Sequence, residues 1–228
     1  MRFLFISLVL SILSLFDING QMLSFQKPDY KLIQSEISNK TSNYYYPKLL
    51  NRLKKYDNSL TEKEYTYLYY GYIFQKEYNP FWNSTQMNEL KEYYQKSKLE
   101  KDDLDRVIFL AKKSIEDFPF DLRQMNFLAY TYHLKGDDET AMKIANTFQG
   151  LVNAIMSTGD GQTCDNGFHV IYAGHEYVLM NIFHFNISNQ SLTGDCDYIS
   201  LDKNSENINE LYFKLSYIVN KDLFKHKI

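Results

Sequence analysis

The chain has 228 residues, with 25 Lys plus Arg against 28 Asp plus Glu and a formal net charge of -3. That balance excludes a strongly basic nucleic-acid binder and a highly charged disordered chain. At 44% hydrophobic, with only 9 Gly and 4 Pro, there is enough apolar material for a real core and too little linker composition for a low-complexity protein.

The first twenty residues read as a secretory segment. Arg2 supplies a short positive start, Phe3 to Phe16 is apolar apart from three serines, and Asn19-Gly20-Gln21 offers a small residue before a cleavage point. The apolar run is shorter than the roughly 20 residues that span a bilayer. No Cys follows it to carry a lipid anchor, and no later stretch of the mature chain is long and apolar enough to cross a membrane. The expectation is an exported protein, periplasmic or secreted, with 1–20 removed and 21–228 forming one α+β domain. Within it, 21–157 is mainly helical, 158–219 mainly β, and 220–228 a polar tail.

Helical punctuation dominates the first two thirds. Pro28 precedes Tyr30, Ile33 and Ile37 at helical spacing. Pro47 opens a second helix with Leu49, Leu50 and Leu53 on one face. Thr61 and Glu64 have the spacing of a capping box for a helix over Glu62–Phe74. Ser84 is read as the cap of a helix carrying Met87, Leu90 and Tyr94, and Asp102-Asp103 as the start of one carrying Leu104, Val107, Ile108, Ala111 and Ile115. Leu122–Leu134 and Asp137–Met156 form a pair turning at Gly136. Leu128, Tyr132, Gly136 and Ala141 have tetratricopeptide-like spacing, although Met125 stands where that repeat carries Trp. One good unit is too few for an independent solenoid, so the reading is a helical layer with one repeat-like pair.

After Ser157-Thr158-Gly159-Asp160-Gly161 the period changes to two. Phe168, Val170 and Tyr172 alternate with polar or opposite-facing neighbours. Glu176, Val178, Met180 and Ile182 read as one face of a second strand, and 186–190 as a loop. Tyr198, Ile199 and Leu201 mark a third strand, and Leu211, Phe213 and Leu215 a fourth. Short connections imply a small antiparallel sheet.

Several segments recur in a familiar order: Tyr44-Tyr45-Tyr46-Pro47-Lys48-Leu49-Leu50, Leu60-Thr61, Tyr67-Leu68-Tyr69-Tyr70-Gly71-Tyr72, Ser157-Thr158-Gly159-Asp160-Gly161, His175-Glu176-Tyr177, Gln190-Ser191-Leu192 and Leu211-Tyr212-Phe213. Together they resemble the DUF4919 family of exported Bacteroidetes proteins. The resemblance implies an exported protein of unassigned function and supplies no catalytic residues. Cys164 and Cys196 stand outside that pattern; in an oxidising compartment they have the makings of a disulfide.

Three functional readings follow. In the first, the protein is a binding or interaction module for another protein, a peptide or a glycan. It uses a tyrosine-rich helical surface, because Tyr65, Tyr69 and Tyr72 lie at i, i+4 and i+7 and share one helix face. That helix is either central to the domain or lines an open groove. In the second, the protein is a hydrolase with Asp160, His175 and Glu176 working as acid–base groups at the helix-to-sheet junction. In the third, it is a structural accessory subunit of the periplasm. The sequence carries no phosphate loop, no GxSxG, no HExxH and no CxxC pair, and implies no cofactor, no metal and no nucleic-acid partner.

Overall fold

In the computed structural model, residues 25–216 are described. The expected secretory segment and polar tail lie outside them. Asp29 caps α1 (Tyr30–Ser38) by accepting from the Leu32 N–H, and Pro47 sits in the first turn of α2 (Tyr46–Leu53). Thr61 and Glu64 form the reciprocal capping box of α3 (Glu62–Gly71), which tightens into a 3-10 turn over Tyr72–Phe74. The expected cap of α4 (Met87–Tyr94) is different. Gln86 occupies the N-cap without a side-chain bond, and the Ser84 hydroxyl turns inward to Ser114 Oγ at 2.7 Å. Glu100 and Asp103 start α5 (Lys101–Asp117) with a second capping box.

Two helices then form the pair read from the repeat-like spacing: α6 (Leu122–Leu134) and α7 (Asp138–Met156), capped by Asp121 and Asp137. Gly136 between them has φ +82°, a left-handed turn position suited to glycine. Helix α6 packs between α5 and α7, and α7 packs on α3. Leu128 and Ala141 are buried in this layer.

The remaining third holds β1 (Phe168–Val170), α8 (Gly174–Ile182), β2 (Ile187–Thr193), β3 (Cys196–Leu201) and β4 (Glu210–Leu215). Three expectations are corrected. The run from Glu176 to Ile182 is a helix, not a strand. A short apolar run fits either period, and here the solvent-facing residues decide: Tyr177 and Asn181, four apart, form the exposed stripe. Of the expected loop at 186–190, residues 187–190 instead form the start of β2. The sheet, in order β1-β4-β3-β2, is also mixed and not antiparallel throughout. β2 and β3, and β3 and β4, pair antiparallel; β1 pairs with β4 parallel, Phe168 opposite Phe213. A parallel pair needs a long connection, and the chain between these two strands supplies it with α8 and the β2–β3 hairpin.

One core runs through both parts, from Ile33, Leu49 and Leu68 to Val170, Leu179, Ile199 and Phe213. A satellite cluster of Leu90, Val107, Leu110 and Phe127 holds the outer helices. Among the described residues no helix is long and apolar enough to cross a membrane.

Candidate functional site

The tyrosines expected to line a groove on α3 are buried. Tyr65, Tyr69 and Tyr72 are 5%, 0% and 4% exposed, so the proposed ring surface is corrected to core. Helix α3 is central, packed against α1, α2 and α7, and therefore buries several sides at once. The hydroxyls explain why these side chains are Tyr and not Phe. Tyr70 donates to the carbonyl of His169 at 2.9 Å, Tyr69 accepts from the N–H of Ile171 at 3.3 Å, and Tyr78 donates to the carbonyl of Ile171 at 2.8 Å. The Thr158 hydroxyl accepts from the N–H of His169. Backbone groups on the free side of β1 and just beyond it are thereby satisfied inside the protein, where an unpaired group would cost about 1–3 kcal/mol.

The three residues read as a hydrolase centre do not converge. Asp160 lies in the turn before β1, accepting from the N–H of Gln162. His175, on α8, contacts Tyr69 Oη at 2.6 Å through Nδ1 and the carbonyl of Phe120 at 2.8 Å through Nε2. Phe118 stacks on its ring. Burial pushes its pKa down to about 4, so it is neutral and pins α8 to α3 and the α5–α6 connection. Glu176, the next residue on α8, points to the sheet instead. Consecutive helical residues are about 100° apart, enough for these two neighbours to reach different elements.

Around Glu176 there is a different constellation. The Gln190 amide on β2 donates from Nε2 to Glu176 Oε2 at 3.1 Å and to Asp197 Oδ2 on β3 at 2.7 Å. The Tyr177 hydroxyl donates to Gln190 Oε1. Glu176 is 0% exposed and Asp197 8%. Burial, and then the neighbouring Asp197 carboxylate, push Glu176 up to about 9. Of these, Glu176 is picked out from the sequence as a site residue; Gln190 is read there only within the segment Gln190-Ser191-Leu192, and Asp197 is not. Their one signal was an acidic side chain and an amide set among strand-forming residues, and it was obscured by reading 186–190 as a loop.

Two more features frame this region. Cys164 and Cys196 are joined by a disulfide with Cα atoms 5.7 Å apart, tying the turn before β1 to the start of β3. With both sulfurs bonded to each other, the nearby Asp195 has no thiolate with which to share a metal. The second feature is the edge of the sheet. Among the described residues β2 has β3 on one side and no strand on the other. Its seven residues, Ile187 to Thr193, include no charge and no proline, and Leu192 is 60% exposed. A register shift between Ile187 and Asn189 interrupts the pairing at one end.

A family model for a domain of unknown function, DUF4919, matches residues 31–223, and the chain belongs to that family. No curated protein and no solved structure matches it.

Proposed function

We propose that this DUF4919 chain is an exported interaction protein that binds an extended segment of a partner protein by strand addition to β2. The observation that carries this reading is the contrast between the two sheet edges. β1 has its outward backbone groups taken up by tyrosine and threonine hydroxyls. β2 is outermost and mostly exposed, and lacks the lysine or proline that commonly guards an edge. Strand addition uses main-chain hydrogen bonds for affinity and alternate side chains for selectivity. Gln190, anchored from behind by Glu176 and Asp197, holds the strand in place for that role. Export is supported by the Cys164–Cys196 bond, which suits an oxidising compartment, and by the secretory pattern at 1–20. The buried rings of Tyr65, Tyr69 and Tyr72 remove the support for a glycan platform on α3.

The test places a photoreactive side chain at Leu192, and in a separate variant at Phe109, which is 55% exposed on α5. Both are expressed in cells that carry the native gene neighbours and irradiated. A discrete adduct from position 192, absent from 109 and lost with proline at Ser191, is expected. Adducts from 109 alone would overturn the reading.

A further inference from the structure

Two buried oxygens at the α8–sheet junction lack a hydrogen-bond partner: Glu176 Oε1 and Asp197 Oδ1. The other oxygen of each carboxyl accepts from the same Gln190 amide. An amide supplies two protons, and both carboxyls, if ionised, only accept. Two like charges would then face each other in a site that solvent barely reaches, which buried carboxylates avoid by retaining a proton. Among the described residues no cation forms an ion pair with either carboxylate.

We infer that Glu176 and Asp197 bind one proton between them, carried on Glu176 Oε1 and donated to Asp197 Oδ1, and that this proton locks edge strand β2 and strand β3 to helix α8. The proton satisfies both orphaned oxygens with one bond and reduces the pair to a single negative charge. Gln190 then bridges the remaining two oxygens, and Tyr177 closes the network at the surface. One Gln190 nitrogen stands 3.1 Å from Glu176 Oε2 and 2.7 Å from Asp197 Oδ2, which sets the two carboxyl groups side by side, and the upward displacement of Glu176 has the direction this arrangement requires. The groups facing Glu176 are Asp197 from β3, the neutral Gln190 from β2, Tyr177 from α8 itself and Tyr69 from α3. Both tyrosines are displaced upward and stay neutral over the range in which Glu176 would titrate. His175 is turned to Tyr69 and Phe120. The lock does not depend on β2 having a partner.

The test is a carbon-13 carboxyl titration of the intact chain, with amide exchange read at 189–193 as protection factors. Glu176 is expected to stay protonated through neutrality and to titrate near 9. Asp197→Asn removes the neighbouring negative charge that helps hold the proton on Glu176, and should lower that value measurably. Glu176→Gln keeps a donor at the position. It should fold normally and abolish the loss of protection at 189–193 that the wild type undergoes above the Glu176 transition. Titration of Glu176 in the ordinary carboxylate range, or an unmoved Glu176 in Asp197→Asn, would overturn the proposal. So would equal loss of protection in wild type and Glu176→Gln.

Discussion

Tyr69 Oη stands 2.6 Å from His175 Nδ1, and the same hydroxyl accepts from the N–H of Ile171. Because the Phe120 carbonyl can only accept, His175 must carry its proton on Nε2, which leaves Nδ1 as the acceptor of the Tyr69 proton. The Phe120 carbonyl thus sets the tautomer, and one Tyr69 hydroxyl both donates to a histidine on α8 and satisfies the chain leaving β1. Tyr69→Phe removes the bond and leaves two buried groups unpaired, at about 1–3 kcal/mol each. The expected loss is roughly 2–6 kcal/mol in urea unfolding. Tyr72→Phe is the control. Its hydroxyl makes only a 3.4 Å contact with the Glu77 carbonyl, and it should cost under ~1 kcal/mol.

Stability should peak in mildly acidic solution and fall on both sides. His169 and His175 are each pushed down to about 4, chiefly by burial. Their contribution is present above their ordinary value of 6.5 and is lost as pH falls from there towards 4, because the unfolded chain binds the protons more tightly. Glu176 has the opposite sign. Raised from 4.5 to about 9, it holds a proton that the unfolded chain releases, so stability declines as pH rises across that interval. Between 4.5 and 6.5 the two histidines outweigh the one carboxyl; above 6.5 the carboxyl acts alone. Melting temperature against pH should therefore have a maximum near pH 6.5, and Glu176→Gln should flatten the alkaline side.

The helical part was largely legible because its signals are local. The Thr61–Glu64 box, Pro47 and the Gly136 turn each act within one turn of chain, and the structure places helix boundaries there. The α6 helix has the expected ends. The final third was legible only in part. Leu211, Phe213 and Leu215 face inward and alternate with the less buried Glu210, Tyr212 and Lys214 as a strand should, and they do form β4. Residues 174–182 are apolar enough to fit either period, and only their packing against α6 and the sheet selects a helix. That choice decides the site: on a strand His175 and Glu176 would face opposite sides, while on α8 one reaches α3 and the other reaches β2 and β3. The tyrosine periodicity was real, but periodicity does not distinguish a buried stripe from an exposed one. The distinguishing feature, hydroxyls aimed at β1 from about 100 positions away in sequence, is a property of the tertiary fold.

Gly150 marks where α7 crosses α3. A Cβ there would lie 2.6 Å from Tyr65 Cδ2, well inside van der Waals contact with a ring that is itself buried. In an exposed helix Gly→Ala gains about 1 kcal/mol from helix propensity. Here overpacking, which costs about 1–3 kcal/mol, acts against that gain. Gly150→Ala is expected to be destabilising, by roughly 1–2 kcal/mol. A Gly150→Ala, Tyr65→Leu double variant should recover part of the loss, because it removes the clashing ring. Equilibrium unfolding of the two variants measures both effects.

The disulfide carries the final prediction. Cys164 and Cys196 are 32 positions apart, and closing a loop of that size restricts the unfolded chain by about 3–4 kcal/mol at 25 °C in the chain-entropy model. The bond joins the turn before β1 to the β2–β3 hairpin, so its loss acts on the sheet and not on the helical layer. The double variant Cys164→Ser, Cys196→Ser should lower the unfolding free energy in urea by that amount. Amide protection should fall in β2 and β3 before it falls in α5, α6 and α7. Lys214 contacts Asp195 beside the bond at 3.2 Å, an ion pair on the protein surface worth at most about 1 kcal/mol. Lys214→Met should therefore have a much smaller effect than removing the disulfide. Comparable losses from the two changes would mean that the local ion pair, and not the covalent link, holds the hairpin down.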